Sequence, residues 1–263
     1  MATVRRMFTI ADDGPIRTLT IENQARRNAI PHAGWLALAE HVEEFAASDQ
    51  RVLVLTGAGG DFCSGADLGA DVDAVTGTPA MRFRWMADVE RAARALHTVP
   101  KPTVAAVDGV AVGAGMNLAL SCDVVVATDR ARFAELFVKR GLTVDFGGTW
   151  ILPRLVGIAR AKELVLTGRM VDAAEALDVG LVSRVVPADD LGDAVSGLAA
   201  ELAAGAPLAQ RFAKEAVNAA FEMSFGEALA FESRAQAICL SSEDAMEGIG
   251  AFLAKRDPEF TGR

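Results

Sequence analysis

Two glycine-bracketed stretches hold the residues whose types and spacing can do chemistry. The first, Val107 to Asp123, reads Val-Asp-Gly-Val-Ala-Val-Gly-Ala-Gly-Met-Asn-Leu-Ala-Leu-Ser-Cys-Asp: an apolar strand end, a glycine-spaced turn and an apolar helix. Gly113 and Gly115 lack Cβ, so the backbone there can take positive φ and come close to a ligand. The helix that follows begins with free N–H groups aimed into a cleft. The second stretch, Gly57-Ala-Gly-Gly-Asp-Phe-Cys-Ser-Gly-Ala-Asp-Leu68, follows the apolar run Val52 to Leu55 and can deliver another main-chain N–H to the same point. Two such donors on one carbonyl oxygen make an oxyanion hole.

Phe62-Cys-Ser-Gly-Ala-Asp-Leu68, taken with Val107-Asp-Gly-Val-Ala-Val-Gly-Ala-Gly115, strongly resembles the crotonase, or enoyl-CoA hydratase/isomerase, superfamily. The resemblance runs over nearly the whole chain, from Arg27-Asn-Ala29 through Gly147-Gly-Thr149 to Glu247-Gly-Ile-Gly-Ala-Phe252 and Arg256-Asp-Pro-Glu-Phe260. It implies binding of an acyl-CoA thioester whose enolate is held by the amides of Ala66 and Ala114. Each such donor contributes on the order of 2.7–4 kcal/mol in well-studied oxyanion holes. The resemblance further implies no cofactor beyond the coenzyme A of the substrate, no metal, and a homotrimer or a hexamer built as a dimer of trimers.

The proton-moving side chains depart from the hydratase pattern. A typical hydratase carries two glutamates, one on the helix after the second glycine turn and one just before the Gly-Leu that follows the next strand. The matching positions here are Asn117 and Phe137. Hydration needs one group to activate water and another to deliver a proton, and neither Asn nor Phe titrates. Glu135 matches a position where the family often holds a non-catalytic Gln or Glu and is read as structural, although strand alternation would set it on the Phe137 face.

Asp145 stands in Gly141-Leu-Thr-Val-Asp-Phe-Gly-Gly-Thr-Trp150, where hydratases usually have Gly. Superfamily members that move double bonds, including dienoyl-CoA and ring-opening phenylacetyl-CoA-type isomerases, place an Asp there. The following Gly-Gly-Thr-Trp-Ile-Leu-Pro-Arg-Leu-Val-Gly157 resembles the latter group. One base facing the acyl chain can take a proton from one carbon and return it to another, and burial near Phe146 and Phe137 raises its basicity. The other reading is that Asp145 caps a helix beginning near Gly147. Isomerisation with Asp145 is the leading expectation. A hydratase with water held by Asn117 and Asp145, and a non-catalytic acyl-CoA binder, are the alternatives.

Asn117 either bonds substrate or water or is satisfied by backbone. Asp67 fixes its loop by accepting from main-chain amides. The coenzyme A contacts implied by the resemblance are Arg26, Arg27 and Ala29 at the adenine and phosphate end, Ser64, Gly65, Asp67 and Leu68 along the pantetheine, and Lys255 on the last helix. Gly113 and Phe137 complete the substrate-binding set. Met81, Phe83, Trp85 and Met86 either line the acyl pocket or are core. His32, His41 and His97 fall outside the motifs and receive no catalytic role.

Composition narrows the setting. The chain has 263 residues, 51% of them hydrophobic, and a net charge of -9. So apolar a chain can bury a large core, and its charge argues against nucleic acid or an anionic membrane surface as partner. The odd set Cys63, Cys122 and Cys239 lacks metal spacing and suggests buried thiols in a reducing compartment. Asp108, Asn117 and Asp123 break the most apolar region, Val104 to Ala127, into runs too short to span a bilayer. No credible signal peptide follows Arg5 and Arg6, so the cytoplasm is expected.

Around these sites the pattern predicts a hairpin of Met7 to Asp12 with Ile16 to Glu22, a helix over His32 to Ala47 and a buried strand over Arg51 to Thr56. Gly69 to Pro79 shows no clear periodicity. A helix over Met81 to His97 follows, stopped by Pro100 and Pro102 before a strand over Thr103 to Val107. Val124 to Ala127 is another strand. After Thr149 helices dominate, with Leu181 to Val186 strand-like. Strands alternating with helices put the chain in the α/β class, and the resemblance implies a crotonase-like spiral of ββα turns over residues 1–200 followed by a C-terminal helical trimerisation region, 201–263.

Overall fold

The computed structural model describes residues 7–70 and 76–263, so part of the aperiodic stretch 69–79 lies outside the described residues. β1 (Phe8–Asp13) and β2 (Ile16–Ile21) form the expected antiparallel hairpin, with Asp13 opposite Ile16. From β2 onward the main sheet is parallel: β3 (Val52–Gly57), β4 (Thr103–Val107), β6 (Val124–Thr128) and β9 (Arg184–Val186) follow in the order β1-β2-β3-β4-β6-β9. Its central strands are apolar on both faces, as a parallel sheet covered on both sides requires. Alternation divides them. Leu53, Leu55, Ala105, Val107, Val125 and Ala127 face one core with α1 (His32–Ala47) and α2 (Pro79–Thr98). Val52, Val54, Val104, Ala106 and Val126 face the other, where α7 (Leu191–Ala203) covers them through Val195, Leu198 and Ala199.

A second wall is built from short pieces. β5 (Val110–Val112) pairs in parallel with β7 (Arg132–Ala134), which pairs antiparallel with β8 (Val171–Asp172). Bridges Cys63 to Ala111 and Ile30 to Ala66 continue this wall across the two preceding turns. Each turn therefore gives one strand to the main sheet, one short stretch to the second wall, and then a helix. This is the spiral of ββα turns. The corner between β4 and β5 leads straight into α3 (Ala114–Leu120), which sits inside the core with every residue buried.

Beyond β7 come α4 (Gly148–Val156), α5 (Ile158–Thr167) and α6 (Ala173–Asp178), and after α7 come α8 (Pro207–Ala219), α9 (Phe225–Leu240) and α10 (Glu243–Ala254). The 200/201 boundary read from sequence falls inside α7, which belongs to the sheet's cover. The later helices behave differently. α8 has no buried residue, α9 buries Ala235, and α10 buries Asp244 and Ala251. Among the described residues no helix is long and apolar enough to cross a membrane.

Candidate active site

The two glycine turns are clamped to each other by the backbone. Cys63 N–H donates to Val110 O at 2.9 Å, Val112 N–H donates to Cys63 O at 3.0 Å, and the Asp61 carboxylate accepts from Val110 N–H at 2.9 Å. Gly115 lies so close to this strand that a Cβ there would stand 2.2 Å from Cys63 O. A Cβ on Gly65 would stand 3.5 Å from Ala114 N, so the residue before Ala66 lies against the first residue of α3. Gly113 has φ 57° and ψ -131°, a conformation that L side chains rarely adopt and that aims the chain from β5 into α3. Its own N–H is taken by Ala134 O. Among the described residues, neither Ala66 N–H nor Ala114 N–H has a protein acceptor, whereas Asp67 N–H and Leu68 N–H, next to Ala66, are both engaged. Two unpaired amides on touching turns are what a carbonyl oxygen would need.

One turn into α3 lies Asn117, fully buried. Its Nδ2 donates to the Asp145 carbonyl at 2.9 Å, and Gly148 is pressed against its amide so closely that a Cβ would come within 2.4 Å of Oδ1. The Asn117 amide is thus committed to the wall that carries Asp145. Asp145 does not cap α4: Gly147 is the N-cap residue, without a side-chain bond, and Gly148 N–H goes to the Asp145 main-chain oxygen. The carboxyl Oδ1 is buried without a partner. Burial pushes the Asp145 pKa up to about 6. Glu135 is also fully buried; burial, then the Asp145 charge, raise its pKa to about 8. The alternation expected for 135–137 does not extend there, because β7 ends at Ala134 and Glu135 opens a tight helical turn, Leu136–Arg140. Phe137 packs its ring edge against Gly113, 3.8 Å from where a Cβ would be.

Asp145 lines a cavity of about 1050 Å³ between α2, α8 and the 144–151 segment. Its walls include Val89, Ala93 and His97 from α2, and Phe146, Trp150 and Ile151 beside Asp145. The alanine amides lie outside this lining. What joins the two regions is α3, whose Asn117 holds the Asp145 backbone three residues, or about 4.5 Å of helix rise, beyond Ala114.

A family model described as enoyl-CoA hydratase/isomerase matches residues 12–263. The chain belongs to this family. It is 38% identical over 250 residues to the 1,2-epoxyphenylacetyl-CoA isomerase of Escherichia coli, covering 94% of this chain and 95% of that protein. It is 35% identical over 250 residues to the short-chain-enoyl-CoA hydratase of Clostridium acetobutylicum, covering 94% of each. The crystal structure of an enoyl-CoA hydratase from Polaromonas sp. JS666 superposes with a TM-score of 0.92 at 33% identity, over 97% of this chain and 99% of that one. The enoyl-CoA hydratase/isomerase family acts on acyl-CoA, and this chain has its crotonase fold.

In this enoyl-CoA hydratase/isomerase fold, the residues expected to hold coenzyme A are interlocked. Ser64 Oγ donates to Arg26 O, and Arg26 Nη1 lies 3.2 Å from Asp67 Oδ1. That Asp67 oxygen also accepts from Gly69 and Ala70 N–H. Arg27 stands 3.8 Å from Asp61, and Ala29 is buried behind it. Leu68 is exposed. Lys255 closes α10 at φ 54°, and the Arg256 beside it is held bidentately by Glu247.

Of the candidate acyl-pocket residues, Met86 lines the cavity, Phe83 and Met81 are exposed, and Trp85 packs on His32 at 4.8 Å. His97, set aside on the sequence, lines the cavity beside Trp150, with 5.1 Å between ring centroids. The helical stripe Met86, Val89, Ala93, His97 was the available signal. Cys63 and Cys122 are buried, which raises both thiols to about 12 and leaves them inert.

Proposed function

We propose that this enzyme moves a double bond along an enoyl-CoA, with Asp145 as the single base and the Ala66 and Ala114 amides as the oxyanion hole. The observation that carries the reading is the Asp145 carboxyl. Asp145 lines the cavity, and its carboxyl keeps a buried oxygen without a partner and has its pKa raised by burial to about 6. Such a group is ionised at neutral pH and basic enough to accept a proton. For a 3-enoyl-CoA, Asp145 takes a proton from C2. The electron pair delocalises onto the thioester oxygen, where the two amides stabilise it. The same carboxylic acid returns the proton at C4, giving the 2-enoyl-CoA and restoring the carboxylate. No other reactant is consumed.

Hydration is the weaker reading, because Asn117 is committed to the Asp145 carbonyl and Phe137 is apolar. In this reading coenzyme A is bound as part of the substrate along Ser64 to Leu68, its phosphates near Arg26 and Arg27, and no separate cofactor takes part. Lys255 is assigned the outer end of the coenzyme. Assembly into a trimer or a dimer of trimers is supported by the large apolar side chains that α8 to α10 leave exposed, among them Phe225 and Phe252. A cytoplasmic setting is supported by the three free thiols, of which Cys63 and Cys122 are buried while Cys239, expected to be buried too, is half-buried.

Conjugated absorbance tests the reading. The expected outcome is conversion of 3-enoyl-CoA to 2-enoyl-CoA, slowed about 10²- to 10⁴-fold in Asp145→Asn. Loss of 2-enoyl absorbance through water addition would replace isomerase by hydratase, and tight binding without turnover would replace both by a carrier.

A further inference from the structure

Beneath the Asp145 wall lies a group that the proton transfer above does not use. Glu135 Oε2 stands 3.5 Å from Asn117 Nδ2, the same nitrogen that donates to the Asp145 carbonyl. Glu135 Oε1, Asn117 Oδ1 and Asp145 Oδ1 are all buried and lack a donor. Buried acceptor oxygens with nothing to bond are costly. A proton on Glu135 would add a donor to this cluster and remove a charge from it.

The surroundings offer no other remedy. Among the described residues Glu135 has no cationic partner, and the charge that acts on it is Asp145. Lys139 and Arg140, on the turn that Glu135 opens, are exposed to solvent. The cavity bordered by Asp145 is faced by Glu90, Arg94 and His97 of α2, by Arg211, Lys214 and Glu215 of α8, and by Glu222 just after α8. Lys214 is itself paired with Asp123, and Arg94 with Glu90.

We propose that Glu135 is a positioning residue carried as the neutral acid, which steadies the Asn117 amide under the Asp145 backbone and leaves Asp145 the cluster's single negative charge. The proposal rests on the reading of Asp145 as the base. Ionisation of Glu135 would place a second buried negative charge where it repels Asp145 and opposes the negative charge of the enolate.

Two measurements on wild type, Glu135→Gln and Glu135→Leu test this. In the first, kcat/KM for 3-enoyl-CoA is followed against pH. The wild-type profile is expected to rise through about pH 6 as Asp145 ionises and to fall above about pH 8 as Glu135 does. Glu135→Gln keeps the acid limb, loses the alkaline fall and stays close to the wild-type rate at neutral pH. Glu135→Leu lowers kcat about tenfold to 10²-fold with KM little changed, as a displaced base would.

The second is the infrared spectrum of the substrate-free protein at neutral pH, which should contain a protonated-carboxyl band that Glu135→Gln lacks. An alkaline fall that persists in Glu135→Gln, or a wild type without that band, overturns the proposal. Full activity in Asp145→Asn with the band in place would sink the base and keep the neutral acid, so the two failures are distinguishable.

Discussion

Asn117 serves architecture where the family pattern has a titrating group, and Asp145 is the carboxylate proposed to act where that pattern has Gly. Where hydratases of the family carry a titrating glutamate, Asn117 commits its amide to a main-chain oxygen, and where they usually have Gly, Asp145 lines the cavity. The position of a carboxylate was legible in the sequence, because an Asp before Gly-Gly-Thr stands out against the family pattern. Its company was not: the contact of Asn117 with Glu135 joins residues eighteen apart through a turn that strand alternation misdescribed. Asn117→Ala removes the donor to the Asp145 carbonyl and leaves that oxygen one bond short. We expect a loss of about 1–3 kcal/mol of stability, read by urea denaturation, together with a fall in kcat. An unchanged denaturation midpoint would show that the Asn117 bond contributes nothing.

At the scale of elements, the site depends on where α3 starts. Gly113 turns the chain at positive φ, and Ala114 is the first helical residue, so its N–H has no place in the helix ladder. Proline is tolerated at that position, and a glycine in mirror-extended geometry can precede it. Ala114→Pro should therefore fold with an unchanged circular dichroism spectrum while losing about 10²- to 10³-fold in kcat, the cost of one oxyanion donor. Retained activity would exclude that amide from the chemistry. Regular apolar spacing over many positions made α1 and β4 readable, and both fall where the sequence puts them. β5, β7 and β8, two or three residues each, are too short for alternation to register, and they are the wall that holds the turns together.

For the whole molecule, burial of two carboxyls has a thermodynamic signature. The folded-state pKa values of Asp145 and Glu135 are both raised, so between the ordinary carboxylate range and about pH 8 the folded protein binds more protons than the unfolded chain. Stability contributed by these groups is present at low pH and is lost as pH rises through that window. Glu135→Gln removes the larger share. Its Tm relative to wild type should climb from pH 5 to pH 9, measured by calorimetry; a difference flat in pH would contradict burial of an acid there. α8 to α10 leave large apolar side chains exposed, and a single chain's sequence shows these residues without showing what covers them.

In the proposed reaction, Asp145 and the two alanine amides together form an enolate. Deuterium uptake at C2 of a 3-enoyl-CoA in heavy water, followed by proton NMR, reads that event without requiring any particular product. Rapid exchange in wild type, lost in Asp145→Asn and strongly slowed in Ala114→Pro, is the predicted result. Exchange that proceeds undiminished in Asp145→Asn would contradict it.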